Sequence, residues 1–262
     1  MSIDFKLGVV GDPVEHSLSP KIHNQFAEQF GHKIDYQKYH ISEQEFESFV
    51  YDFFNSGGRG LNVTLPHKHS AATIVDELTE QARLTGSVNT ISRDNTGRLI
   101  GDTTDGKGLV IDLLQKGVDV QGKTVLVIGA GGAAASIIYA LLQAGANLKL
   151  FNRTESKAKA LVKTYSDFGN IALLEPAMSY EILISSVTEL DKKLFSQVTQ
   201  PLMSGTLVYD LNYGQRAESL KVLSHEAGCT NFIDGIGMLI GQAAQSYKIW
   251  TGCFPDVSKV ML

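Results

Sequence analysis

The sequence predicts an α/β protein of two domains, and three observations predict it. At 262 residues the chain is long for one ordinary domain and short for three. Short β-branched runs alternate with segments of helical periodicity along its length. After Asp105 the alternation becomes regular, strand and helix following each other through short loops, as in a parallel sheet covered on both faces. Length alone admits one large α/β unit; the change of pattern near Asp105 and the motifs below divide the chain in two.

In the first half, LGVVG (Leu7 to Gly11) reads as a short buried strand, followed by the loop DPVEHSLSPK. Ser19 is the expected N-cap of the next helix, with Pro20 at its first position. Ile22, Phe26 and Phe30 then recur every four residues up to Gly31, the expected stop. IDYQKYHI is a strand. Ser42 and Glu45 have the spacing of a capping box ahead of a helix that turns Phe46, Phe49, Val50 and Phe53 to the core, and Gly57, Gly58 and Gly60 are read as its end. RGLNVTL is a third strand, HSAATIVDELTEQA one helical segment, and VNTISRDNTGRLIGD two short strands around an Asn-Thr-Gly turn.

A helix over GLVIDLLQKG follows Asp105. From Lys123 the expected order is strand TVLVIG, helix, strand LKLFN, helix ESKAKALVKTY, strands IALLE, EILISSV and TLVYDL, helix AESLKVLSHEAG and strand TNFID. IGMLIGQAAQSYKIW is a last helix.

Composition narrows the function classes. Hydrophobic residues at 43% and charged residues at 19% fit a globular chain, and 23 Lys+Arg against 28 Asp+Glu, a formal charge of −5, disfavours a general nucleic-acid binder. Cys229 and Cys253 make neither a disulfide scaffold nor a CxxC pair, and MSIDFKLGVVGDP lacks the apolar run of an export signal, so a cytoplasmic protein is expected. Thr124 to Leu148 carries no charge over 25 residues. Its change from a β-branched run through GAGG to an alanine-rich helix reads as strand, turn and packed helix rather than a membrane span. His67 and His69 flank Lys68 without a third ligand, so no metal is expected.

The glycine pattern carries the first chemistry. Gly129, Ala130, Gly131, Gly132, Ala133 and Ala134 follow the strand TVLVI directly and open a helix, the context in which GxGxxA binds a dinucleotide. The first glycine makes the turn, the second admits a pyrophosphate, and Ala134 lets helix pack on strand. The phosphates sit on the helix N-terminus. About 20 residues further on, where an acidic residue would select NAD, this chain has Asn152, Arg153 and Thr154. Arg153 can stack on and bond a 2′-phosphate, with Thr154 and Lys157 adding donors, so the expected cofactor is NADP.

The first domain concentrates short polar side chains at strand ends and loops: Ser17, Ser19, Asn62, Thr64, Lys68, Asn89 and Asp105. Asn62 and Thr64 alternate by two and share a strand face, a pattern suited to a polyhydroxylated ligand. With SLSPKIHN, GLNVTLPHK, GSVNTI, GDTTDGKG, GAGGAA, NRT, YDLNY and DGIGMLIGQAA in that order, nearly the whole chain resembles the shikimate dehydrogenase family.

The resemblance implies NADP-linked, reversible reduction of 3-dehydroshikimate to shikimate, a step toward chorismate and the aromatic amino acids. It implies a substrate-binding catalytic domain over 1–104, a Rossmann-type NADP-binding domain over 105–237, and a C-terminal helix, 238–262, packing back on the first domain. It places Ser17, Ser19 and Tyr213 at the substrate carboxylate, Asn62, Thr64, Asn89 and Gln242 at the ring hydroxyls, and Lys68 with Asp105 as the catalytic pair. Hydride addition to a ketone builds negative charge on oxygen, and a lysine ammonium oriented by a carboxylate neutralises it.

Against the family pattern, Ser185, Ser186 and Val187 stand where Asn-Ala-Thr is usual, leaving the cofactor contacts of that loop open. Leu211 replaces a common Met as the expected apolar wall for the nicotinamide, and Gly235 is expected to let backbone approach the cofactor. Two rivals remain: a quinate/shikimate dehydrogenase with broader substrate or NAD use, and a non-catalytic dinucleotide-sensing regulator, which would be expected to lose Lys68 or Asp105. The expected assembly is a monomer or homodimer.

Overall fold

The computed structural model describes residues 3–176, 178–190, 192–198 and 205–262. It divides into two compact units, Met1–Gly108 with Ile240–Leu262, and Leu109–Leu239.

The first unit runs β1 (Phe5–Gly11), α1 (Ser19–Phe30), β2 (Ile34–His40), α2 (Phe46–Asn55), β3 (Gly58–Val63), α3 (Lys68–Ile74), β4 (Glu77–Leu78), α4 (Glu80–Thr85), β5 (Thr90–Arg93) and β6 (Leu99–Asp102). Its six strands form one mixed sheet in the order β2-β1-β3-β5-β6-β4, with β1 parallel to β2 and β3, and β5 antiparallel to β3 and β6. Alternation along β1 feeds two cores: Leu7 and Val9 pack with Tyr36 and Trp250, and Val10 packs with Phe46, Val50, Phe54, Leu61 and Val63.

Several local expectations are corrected. Ser19 does not cap α1; Leu18 holds the cap position, Ser19 is the first helical residue, and its hydroxyl meets Ser17 instead. Gly31 does close α1 in the left-handed conformation. At α2 the Ser42 hydroxyl donates to the Glu45 carboxylate at 2.6 Å and makes no cap to the helix, which starts at Phe46. Gly58 and Gly60 lie within β3, paired with Lys6 and Leu7 of β1, rather than ending α2, and are glycine because the Phe53 and Trp250 rings occupy the space a Cβ would need. The segment read as one helix is broken: Val75 is extended, β4 pairs with β6, and Thr79 caps α4 by accepting from Ala82 N at 3.3 Å.

The second unit follows α5 (Asp105–Gln115) with β7 (Thr124–Ile128), α6 (Gly132–Gln143), β8 (Asn147–Phe151), α7 (Glu155–Tyr165), β9 (Ile171–Leu173), β10 (Ile182–Ser185), α8 (Lys192–Val198), β11 (Leu207–Asp210), α9 (Glu218–Glu226), β12 (Phe232–Ile233) and α10 (Ile236–Thr251). The unit divisions fall inside the continuous helices α5 and α10. Helix α8, not anticipated from the sequence, buries Phe195 and Val198 in the core with Leu126, Leu183 and Val208. The sheet is parallel throughout, ordered β12-β11-β10-β7-β8-β9. Because β7 sits between β8 and β10, chain order reverses direction there, and the glycine turn after β7 lies at the switch point where such sheets bind ligands. Thr124 to Leu148 is β7, the turn, α6 and the start of β8; no helix among the described residues is long and apolar enough to cross a membrane.

Candidate active site

In the first unit the ends of β3, β5 and β6 and helices α3, α5 and α10 bring polar side chains to one place. Lys68 opens α3, and its Nζ donates to Asp105 Oδ2 at 2.7 Å across 37 positions of sequence. Both side chains are partly open, at 25% and 16% exposure, so the pair is held by the fold yet reachable by a ligand. Asn89 Nδ2 donates to the other carboxylate oxygen, Asp105 Oδ1, at 2.7 Å, and to Gln242 Oε1 at 3.3 Å. Both oxygens of Asp105 are therefore engaged, and its carboxylate plane is set.

The remaining expected residues divide by what they touch. Thr64 follows β3, is half-buried, and its hydroxyl makes no hydrogen bond to the described residues; Gly11 is a glycine because the Thr64 methyl fills the space beside it. Ser17 and Ser19 meet hydroxyl to hydroxyl at 3.1 Å at the start of α1. Asn62 is deeply buried and engaged by the protein: its Oδ1 accepts from Tyr36 OH at 2.7 Å, and its Nδ2 faces Asn89 O at 3.2 Å and Ser246 Oγ at 3.0 Å. Tyr213 lies in the second unit, exposed beyond β11.

His67 and His69 diverge. His67 is buried, stacked on Phe46, and bonds Ile41 O through Nε2, whereas His69 is exposed against Gly86 O. Among the described residues no group of three His, Cys, Asp or Glu is placed to hold a metal ion.

In the second unit Gly129 follows β7 with φ +111, a conformation that favours glycine, and Ser186 Oγ occupies the side where a Cβ would stand. Gly131 and Gly132 have open space in place of side chains, Ala133 is exposed and Ala134, in the first turn of α6, is buried. That leaves the backbone of Gly129 to Ala133 accessible at a helix N-terminus, a cradle that fits a pyrophosphate. Asn152 Nδ2 folds back on Thr154 O at 2.8 Å. Arg153, Thr154 and Lys157 are exposed, and neither cation has an ion-pair partner among the described residues. The donor set suits a phosphate.

Residues 9–91 match the family described as the shikimate dehydrogenase substrate binding domain, 112–206 the shikimate / quinate 5-dehydrogenase family, and 235–261 the shikimate 5'-dehydrogenase C-terminal domain. A shikimate dehydrogenase (NADP(+)) of Shewanella halifaxensis is 39% identical, over 98% of this chain and 94% of its own. The chain belongs to the shikimate dehydrogenase family. Among solved structures, an Ael1 enzyme from Pseudomonas putida aligns over 99% of both chains at 29% identity and TM-score 0.87. A shikimate 5-dehydrogenase from Thermus thermophilus, in complex with NADP(H) and shikimate, aligns over 97% of this chain and 96% of its own at 29% identity and TM-score 0.83.

As a shikimate dehydrogenase family member, the chain has the expected α/β architecture, with an N-terminal substrate domain, a Rossmann-type domain and a last helix that returns to the first: Trp250 of α10 bonds Ile91 O at 3.0 Å. In the atypical loop, Ser186 Oγ donates to Ile128 O at 2.8 Å and Val187 O accepts from Asn212 Nδ2 at 2.9 Å, so this loop ties β7, β10 and β11 together. Leu211 is half-buried. Gly235 is small for a local reason: the Leu211 carbonyl stands where its Cβ would be. Sequence reasoning missed Thr90, Thr104 and Ser246, buried hydroxyls around Asn89, and Asp210 at the end of β11, whose carboxyl burial pushes up to about 6 against hydrogen bonds from Asn212, with Asp234 adding to the rise. Only contact through folding marks them; locally they read as ordinary strand, loop and helix residues.

Proposed function

We propose that this chain catalyses the reversible, NADP-dependent reduction of 3-dehydroshikimate to shikimate. The observation that carries the reading is the Lys68–Asp105 pair, held at 2.7 Å and still partly open, with Asn89 on the second carboxylate oxygen. A binding or sensing protein has no need of an ammonium held in one orientation by a carboxylate.

The backbone of Gly129 to Ala133 would hold NADPH, which would supply the hydride. Lys68 Nζ holds the proton that the ketone oxygen takes up as charge develops on it, and recovers that proton in the oxidative direction. Asp105 keeps the ammonium aimed and charged. Thr64 and Gln242 with Asn89 supply short hydrogen bonds to ring hydroxyls, and the Ser17 and Ser19 hydroxyls donate to the substrate carboxylate. Asn62 lies behind Asn89, its amide bonded to Tyr36 OH and Ser246 Oγ. For the rest of the cofactor, the Gly129 to Ala133 backbone would take the pyrophosphate, and Arg153, Thr154 and Lys157 would take the 2′-phosphate. Asn152 braces that turn, and Leu211 and Gly235 would form the side of the site that takes the nicotinamide.

Initial rates with shikimate and with quinate, each against NADP and NAD, test the reading. Shikimate with NADP is expected to be the fastest pair. Absence of shikimate oxidation with either cofactor would overturn the proposal, and faster quinate or NAD turnover would favour the broader dehydrogenase. With unpaired Cys229 and Cys253, the enzyme fits the cytoplasm. It works as a monomer or homodimer, which sedimentation distinguishes.

A further inference from the structure

We propose that Thr90 and Ser246, with Tyr36 behind them, form a directional hydrogen-bond chain that positions the catalytic carboxylate of Asp105. The inference rests on the dehydrogenase reading above.

The two amides in the chain have only one orientation each. Asn89 Oδ1 accepts the Thr104 backbone N–H at 2.9 Å, a donor whose polarity cannot change, so Asn89 Nδ2 must face Asp105 and Gln242. Asn62 Nδ2 faces the Asn89 backbone carbonyl at 3.2 Å, an obligatory acceptor, so Asn62 Oδ1 must face Tyr36 OH.

With both amides settled, the hydroxyls can all donate in one direction. Tyr36 OH donates to Asn62 Oδ1 at 2.7 Å, and Asn62 Nδ2 to Ser246 Oγ at 3.0 Å. Ser246 donates to Thr90 Oγ1 at 2.8 Å, Thr90 to Asn89 Oδ1 at 2.8 Å, and Asn89 Nδ2 to Asp105 Oδ1 at 2.7 Å. Lys68 completes the other side of the carboxylate. The bonds run head to tail through buried side chains as far as Asn89, where each donor polarises the next, and the last meets the charge on Asp105. In that orientation Ser246 gives up its alternative bond to Gln242 O at 3.1 Å, a helix carbonyl already within reach of the α10 ladder.

Such a network serves more than stability, because its end point is the group that aims Lys68. The chain also links three parts of the first unit, β2 through Tyr36, β5 through Thr90 and α10 through Ser246, to one carboxylate. Thr90 and Ser246 are positioning residues: neither bonds Lys68 or Asp105, and both act through Asn89.

The test uses the full-length enzyme and the variants Thr90→Val, Thr90→Ser and Ser246→Ala. Thr90→Val keeps the shape and removes the donor. It is expected to lower kcat about 10-fold, the rate equivalent of one buried hydrogen bond. KM for NADP should stay within about twofold, since the cofactor cradle is in the other unit. Thr90→Ser keeps the hydroxyl and should recover most of the rate. Ser246→Ala, which interrupts the chain one step earlier, should lower kcat in the same direction and covers the case in which Thr90→Val does not fold. A kcat at the parental level in folded Thr90→Val or Ser246→Ala, or a Thr90→Ser as slow as Thr90→Val, would overturn the inference. Exchange of the Asn89 side-chain amide, followed by NMR, gives a readout independent of turnover. It should be protected in the parent and faster in Thr90→Val or Ser246→Ala; unchanged protection overturns the positioning role even in a parent that oxidises no shikimate, the separate result that would refute the function.

Discussion

Replacing His23 with leucine should flatten the acid sensitivity of the first unit. His23 lies on α1, is fully buried, stacks on Tyr36 at 4.5 Å between ring centroids and sits 5.3 Å from the Trp250 ring. Neither ring nitrogen has a hydrogen-bonding partner in good geometry among the described residues, and burial pushes the imidazole down to about 3, with the nearby Asn62 amide acting in the opposite direction. In the unfolded chain the same group titrates near its ordinary value of about 6.5. Between the two values the unfolded chain binds a proton that the folded chain refuses. Stability therefore falls as pH is lowered through the unfolded value, and the loss levels off near the folded one. At about 1.4 kcal/mol per pH unit, His23 alone removes ~3 kcal/mol between about pH 6.5 and pH 4. Trp250, the single tryptophan, reports unfolding from beside the residue in question. Urea unfolding followed by its emission at pH 7 and pH 4 should show the His23→Leu variant gaining ~3 kcal/mol on the parent over that interval, whatever constant offset the altered packing adds. His40 is raised by Asp12 and then Glu15, so its contribution is present below its unfolded value and lost as pH rises through the folded one. Being common to both proteins, it cancels. Parallel stability curves for parent and variant would refute the reasoning.

Lys68→Ala should lower turnover by on the order of 10² to 10⁴ while leaving the dissociation constant for NADP unchanged, and near-parental turnover would remove Lys68 from the mechanism. Arg153→Ala should raise KM for NADP roughly 10-fold with little effect on KM for NAD, as expected for lost charge-assisted bonds to a 2′-phosphate; equal effects on both cofactors would place Arg153 elsewhere. Gly129→Ala forces a side chain onto a φ of +111 and against Ser186, so it should lower the melting temperature and weaken NADP binding. Adding Ser186→Gly should recover only part of the loss, because the backbone conformation stays unfavourable; full recovery would assign the whole effect to the overlap.

Where structure is governed by neighbours in the chain, the sequence was legible. The strand, glycine turn and helix around Gly129 to Ala134 lie in one short segment, and Gly31 stops α1 by its own conformational freedom. Local signals misled where two local solutions compete. Ser19 and Ser42 look like caps, but a serine hydroxyl can equally bond another side chain, and here Ser17 and Glu45 win. Gly58 and Gly60 look like a helix stop and are instead strand positions beneath Phe53 and Trp250, which only packing reveals. The break at Val75 was hidden because β4 exists through pairing with β6, a distant strand.

The site divides in the same way. Residue types and motif order by themselves determined the family, the glycine cradle, the cation beyond β8 in place of an acidic residue, and the names of Lys68 and Asp105. Their meeting at 2.7 Å across 37 positions, and the bond between Thr90 and Ser246 across 156, were decided by the sheet order of the first unit and the return of α10. Hydrogen bonds reach about 3 Å and carry no record in sequence spacing, so a buried hydroxyl acquires its role only when the fold brings its partner within that distance.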